Sequence, residues 1–156
     1  MSSKKWKVTT AADWKEARRG GIEVPLPSGD IVKIRPANVM KMIRAGTIPD
    51  LLSDIALRSV WVEQNPEEIG DSMELAGKYE DLMGIVIPAV LASPKVALPG
   101  EEPEDDEITM DDIDISDRTS IFNLALAGVG AMRKFRDEQK KLMDALSNVN
   151  ENGDAA

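Results

Sequence analysis

IEVPLPSGDIVKIRPANVMKMIRAGTIPDLL, residues 22–52, decides how the chain is read. Two apolar-alternating runs, Ile22-Glu23-Val24-Pro25-Leu26 and Ile31-Val32-Lys33-Ile34, flank Pro27-Ser28-Gly29-Asp30. Period-two alternation around a Pro/Gly/Asp cluster is the signature of a β-hairpin, here over residues 22–35. A two-residue Ser28-Gly29 loop pairs Val24 with Lys33 and mixes the two faces. A three-residue loop, Ser28-Gly29-Asp30, pairs Leu26 with Val32, Val24 with Ile34 and Glu23 with Arg35. Register follows the buried face, so the second pairing is the expected one.

Helices follow without slack. Pro36 suits the first turn of a helix over 37–45, whose stripe carries Val39, Met40, Met42 and Ile43, with Gly46 as the stop. Ile48-Pro49 opens the next, with Leu51, Leu52, Ile55 and Ala56 on one side, reaching Val62. Upstream, Thr10 can cap a short helix over 11–18, in which Trp14 and Ala17 share a face. Residues 1–9 are polar and expected to be flexible, with Trp6 as their one anchor.

Downstream, Asn65-Pro66-Glu67-Glu68 is a helix start with a good N-cap and a proline in first position. The series Ile69, Met73, Ala76, Tyr79, Met83 and Val86 continues that helix until Pro88 kinks or ends it. Residues 101–117 hold ten carboxylates and no basic residue. Such a run is expected to be a solvated acidic loop, pinned at points such as Ile108, Met110, Ile113 and Ile115. Ser116 or Asp114 then caps a long C-terminal helix to about Ser147. Residues 121–132 are apolar nearly all round, and beyond them Phe135, Leu142 and Leu146 form one stripe. Residues 148–156 read as a disordered tail. The expected architecture is mainly α with a small N-terminal β-hairpin: four to five helices in a single domain over 10–147, with a long C-terminal helix.

Composition narrows function. The chain of 156 residues carries a formal net charge of −9 and no His or Cys. The charge disfavours a nucleic acid or an anionic membrane as partner. The missing residue types remove the usual general base, the usual metal ligands and any thiol nucleophile. Nothing resembles a signal peptide, and the apolar run over 83–92 is too short to span a bilayer.

The possible chemical sites each have a plainer explanation. Asp112, Asp114 and Ser116 match the first three ligand positions of a calcium loop. However, Asp117 stands where that loop needs Gly, and Asn123 where it needs Glu. Gly128-Val129-Gly130 follows no strand and lacks a third Gly, so close helix packing or a bend explains it better than a dinucleotide site. Glu67 and Glu68 fit the dipole of a helix N-terminus. Without a nucleophile–base pair the chain is expected to be no enzyme, with no cofactor and no metal.

The turn LPSG, then V-K-I-R-P over 32–36, a short helix and A-G-T-I-P-D-L-L over 45–52 resemble the N-terminal segment of tail assembly chaperones of long-tailed bacteriophages. The likeness resumes at Asp117-Arg118, at Ile121-Phe122 and at Lys134-Phe135-Arg136-Asp137-Glu138-Gln139. The resemblance implies a chaperone in the host bacterial cytoplasm. It would bind and solubilise the tape measure protein while tail tube subunits polymerise around it, and be absent from the mature virion. It further implies the tail tube protein and other copies of itself as additional partners, and a longer frameshifted product. The alternatives are a minor structural protein of the tail or head–tail joint, and a small acidic helical adaptor.

The residues singled out for partner binding are Met40, Met42, Ile43, Leu51 and Leu52 beside the hairpin, and Phe135, Leu142 and Leu146 on the last helix. Methionine-rich stripes suit adaptable binding surfaces, although ordinary core packing competes with that reading. For the acidic run, a plain solvated loop is the expected reading, and an electrostatic docking surface for a basic partner segment is the alternative to it.

Overall fold

The computed structural model describes residues 6–61 and 73–153. In order these form α1 (Ala11–Arg19), β1 (Ile22–Pro25), β2 (Ile31–Ile34), α2 (Val39–Arg44), α3 (Asp50–Trp61), α4 (Met73–Val90), β3 (Leu91–Ser93), β4 (Lys95–Val96), β5 (Glu107–Ile108), α5 (Ile115–Ala127) and α6 (Val129–Gly153). The chain is mainly helical with an N-terminal hairpin and a long last helix. Six α-helices occur among the described residues, one more than the upper expectation. The helix start at Asn65-Pro66 lies outside the described residues, as do the first residues of the expected flexible N-terminus and the last of the expected tail.

The hairpin has the expected inner face and a different register. Val24 pairs with Val32, Ile22 with Ile34 and Glu23 with Lys33. The Leu26 amide donates to the Asp30 carbonyl at 2.8 Å, and the Gly29 amide donates to Leu26 at 2.9 Å. The loop is therefore Pro27-Ser28-Gly29, with Gly29 at φ +95°. This is the three-residue type in which a tight turn is closed by a left-handed residue, a place that suits glycine. The slip relative to the expected pairing is two residues, so Val24, Leu26, Val32 and Ile34 all stay inward.

The sheet has a strand the periodicity hides. β2 pairs on its other side with β3, giving the order β1-β2-β3. Pro88 does not stop α4; the helix continues to Val90 and passes directly into β3. β4 and β5 form a small parallel pair, Lys95 with Glu107 and Val96 with Ile108. The acidic run is thus a solvated loop only over residues 101–106. After β5, Thr109 and Asp112 close a capping box around a single 3-10 turn, Met110–Asp112. Ile113 is buried, Ile108 and Met110 pack against the core, and Ile115 is exposed and pins nothing.

Local signals fix several ends. The Thr10 hydroxyl accepts from the Asp13 amide at 3.1 Å, as its place before α1 requires. α2 begins later than the proline suggests: Asn38 is its N-cap, accepting from the Lys41 amide at 3.1 Å. Trp6 is fully exposed and anchors nothing.

The core lies between the inner face of the sheet and helices α4, α5 and α6. α5 is the central element, packed on α3, α4, α6 and β2, while α6 also packs along β1. The single long C-terminal helix that the pattern predicts is broken at Gly128, which sits at φ +99°, ψ −176°. The break ends α5 with the Gly128 amide on the Leu124 carbonyl and starts α6 with the Met132 amide on the Gly128 carbonyl. It also frees the Ala125 carbonyl, which accepts from the Ala37 amide at 2.9 Å. Close packing is not the reason for the glycines, since a Cβ at Gly128 or Gly130 would meet nothing within 4 Å. α6 then runs to Gly153, past the Ser147 end set by periodicity and through most of the expected tail.

Candidate functional site

Exposed large apolar side chains occur at several places among the described residues, and two of these hold residues singled out from the sequence. The first is the far half of α6. Met132, Phe135, Gln139, Leu142 and Leu146 are spaced three, four, three and four residues apart, the seam of a helix that packs against another helix. The seam begins in the core. Met132 is fully buried, and Phe135 and Gln139 are half-buried. Cover then stops. Leu142, Met143 and Leu146 are 55%, 58% and 57% exposed, and every residue over 141–148 is exposed. At 1.5 Å per residue this uncovered stretch extends about 12 Å.

The second place is the α2–α3 corner. Of the residues predicted there, Met40 is half-exposed and Leu51 is 82% exposed, whereas Leu52 is 8% exposed and belongs to the core. Met42 and Ile43 are partly buried and pack against the same core. These five residues therefore do not line one groove. Two face solvent and three support the fold. On α6, Leu142 and Leu146 are surface, Phe135 is transitional, and Met143 joins them without having been singled out.

A third feature involves polar groups. A cleft of about 330 Å³ lies beneath the hairpin turn, walled by Leu26, Val32, Leu91, Ile108, Ile113 and Ile121. Asp30, Asp112 and Asp117 also line it, and no basic residue does. Asp117, in the first turn of α5, is buried, and its Oδ1 accepts from the Ser28 amide at 3.0 Å. The LPSG turn is thus tied to α5 across the fold. Neighbouring Arg118 turns away to the carbonyls of Ile113 and Met110. Asp112 is bonded to Thr109, and Asp114 holds the N-cap position of α5 without a side-chain capping bond, so of the calcium-like spacing Asp112 is tied into local structure. Among the described residues no group of three or more His, Cys, Asp or Glu is placed to hold a metal ion. Among the same residues no helix is long and apolar enough to cross a membrane.

Sequence comparison matches residues 12–147 to a family of unknown function, DUF7391. That span takes in the hairpin, the cleft and the exposed part of α6 as far as Ser147. No curated protein and no solved structure matches.

Proposed function

We propose that this chain, which belongs to the DUF7391 family, is a partner-binding protein that shields apolar helical segments, acting as a tail assembly chaperone for a phage tape measure protein. The observation that carries the reading is the α6 seam, which leaves the core at Phe135 and continues uncovered through Leu142, Met143 and Leu146. A seam of this spacing is completed by another helix laid along it. The resemblance of the LPSG turn and the A-G-T-I-P-D-L-L stretch supplies the identity of that helix. The net charge of −9 supports the same reading, since it keeps a complex with an apolar partner in solution.

Magnitudes limit what α6 does alone. Fully burying a large apolar side chain is worth about 1.5–3 kcal/mol, so three half-exposed ones yield about 2–5 kcal/mol. Association costs at least about 4 kcal/mol in lost freedom. One seam is therefore a weak contact, and stable capture of a long helix needs several contacts at once. The test is co-expression with the cognate tape measure protein. Wild type should move it from the pellet to the supernatant and co-elute with it. Leu142→Glu/Leu146→Glu should lose this while melting within about 3 °C of wild type, because exposed sites rarely contribute to stability. A soluble tape measure protein with the double variant, or a wild-type chain recovered from purified virions, removes the reading.

A further inference from the structure

We propose that the cleft beneath the hairpin turn receives the cationic side chain, arginine or lysine, of the partner polypeptide. The proposal rests on the reading that this is a partner-binding chain, and it supplies a second contact independent of α6. The cleft combines what such a side chain needs. Its walls are aliphatic, which suits a methylene stem, and its polar groups are three carboxylates, which suit a cationic head. About 330 Å³ lies at the small end of ligand sites and matches one side chain better than a cofactor.

The carboxylates are held in place with acceptor capacity left over. Asp117 is only 4% exposed, and its one hydrogen bond, from Ser28, uses Oδ1. Among the described residues no side-chain oxygen or nitrogen is both sealed from solvent and without a partner. Oδ2 of Asp117 is therefore not sealed from solvent, and the residue lines the cleft. Asp30 is fixed through Oδ2 by the Ser28 hydroxyl at 3.2 Å, and Asp112 through Oδ2 by the Thr109 amide at 2.8 Å. Each keeps its other oxygen, and none of the three is in an ion pair given by the structure. A guanidinium carries five donors in a planar fork that matches carboxylate oxygens, whereas an ammonium meets them as a point charge. Arginine is accordingly the tighter occupant.

The test uses the isotope-labelled full chain titrated with short amphipathic helical peptides of leucine and arginine, of leucine and lysine, and of leucine and citrulline. Citrulline keeps the shape of arginine and removes its charge. The arginine peptide should shift the backbone amides of Ser28, Asp30 and Asp117, bind more tightly than the lysine peptide, and weaken with added salt. Asp30→Asn/Asp112→Asn, at two exposed positions, should reduce its affinity by about tenfold or more, and the citrulline peptide should show a similar loss. Glu101→Gln/Glu102→Gln makes the same change in net charge away from the cleft and should leave affinity within about twofold. Equal losses for the two double variants would reduce the effect to overall charge and overturn the proposal. So would equal binding of the citrulline peptide, or unmoved cleft amides. Shifts confined to α6 overturn the cleft and leave the α6 reading standing. Shifts at the cleft with α6 unmoved do the reverse.

Discussion

Gly128→Ala tests the joint on which the C-terminal half depends. The φ of +99° and ψ of −176° place this residue in a region that only glycine adopts freely. An alanine Cβ would meet nothing within 4 Å, so the cost is conformational, without a steric clash. Holding a residue in such a region costs about 1–3 kcal/mol. Reduced freedom of the unfolded chain returns about 0.4–1 kcal/mol, leaving a net loss of about 1–2 kcal/mol. For a domain of this size about 2–4 °C accompanies each kcal/mol, so Tm should fall by about 2–8 °C.

Gly130, two residues on and in ordinary helical conformation, is the internal control. Its Cβ would also meet nothing within 4 Å. Gly130→Ala should raise stability by up to about 1 kcal/mol, because alanine is the better helix former. Opposite signs at two such close glycines are hard to obtain by any other route. Thermal melts followed by circular dichroism read both, and hydrogen exchange at the Ala37 amide reads the joint directly. A continuous helix would return the Ala125 carbonyl to Val129 and release Ala37. A Gly128→Ala protein that melts at or above wild type with Ala37 still protected would refute the reasoning.

Three further outcomes are expected. Val24→Asp puts a charge at a wholly buried sheet position and should cost several kcal/mol, abolishing the cooperative melt or lowering Tm by more than about 10 °C; a wild-type melt would show the sheet faces to be misassigned. Leu52→Glu should unfold the domain while Leu51→Glu leaves Tm within about 3 °C, since the two neighbours are 8% and 82% exposed. Deleting residues 101–107 should lower Tm, because it removes Glu107 from its pairing with Lys95 and loosens Ile108; an unchanged melt would mean that β5 contributes nothing to stability.

Face and register of the hairpin were not equally legible. Alternation over 22–26 and 31–34 determines which side chains turn inward, and a slip of one residue is forbidden because it would reverse them. A slip of two preserves the face, so the apolar pattern is silent between Val24–Val32 and Val24–Ile34 pairing. The choice was made by the turn, where Pro27 and Gly29 fit a tight turn closed by a left-handed residue. β3 was hidden for a different reason. Leu91–Ser93 ends an apolar run with helical spacing, and three residues are too few to show alternation. At Gly128 the sequence suggested a bend, but apolar residues nearly all round 121–132 let the helical period read straight across it.

The site divides along the same line. The α6 stripe was readable because its three-and-four spacing is a local property of the chain. Where its cover stops was not, since that depends on the length of β1 and α5 beneath it. Leu51 and Leu52 are one step apart on a helix, about 100° around its axis, and the packing of α3 on α2, α4 and α5 separates surface from core. Asp117 is one of ten carboxylates in its run, and nothing local distinguishes it. Its burial comes from the Ser28 amide of a turn far away in sequence, which needs an acceptor at that point of the fold.

The hairpin and α6 are connected through these long-range contacts. Ser28 ties the turn to the start of α5, Ala37 ties the segment after the hairpin to the end of α5, and α6 packs along β1. The seam that starts at Met132 is therefore aimed by the sheet. A helix laid on Leu142 and Leu146 would extend the same apolar layer that holds β1, without requiring a new one. On that geometry, changes at the Gly128 joint that leave every exposed residue in place should still weaken partner binding, because they turn the uncovered half of the seam away from the surface that positions it. On the proposed chaperone reading, Gly128→Ala binding the tape measure protein as tightly as Gly130→Ala would separate the joint from the seam, and would mean that the exposed half of α6 acts as an isolated helix.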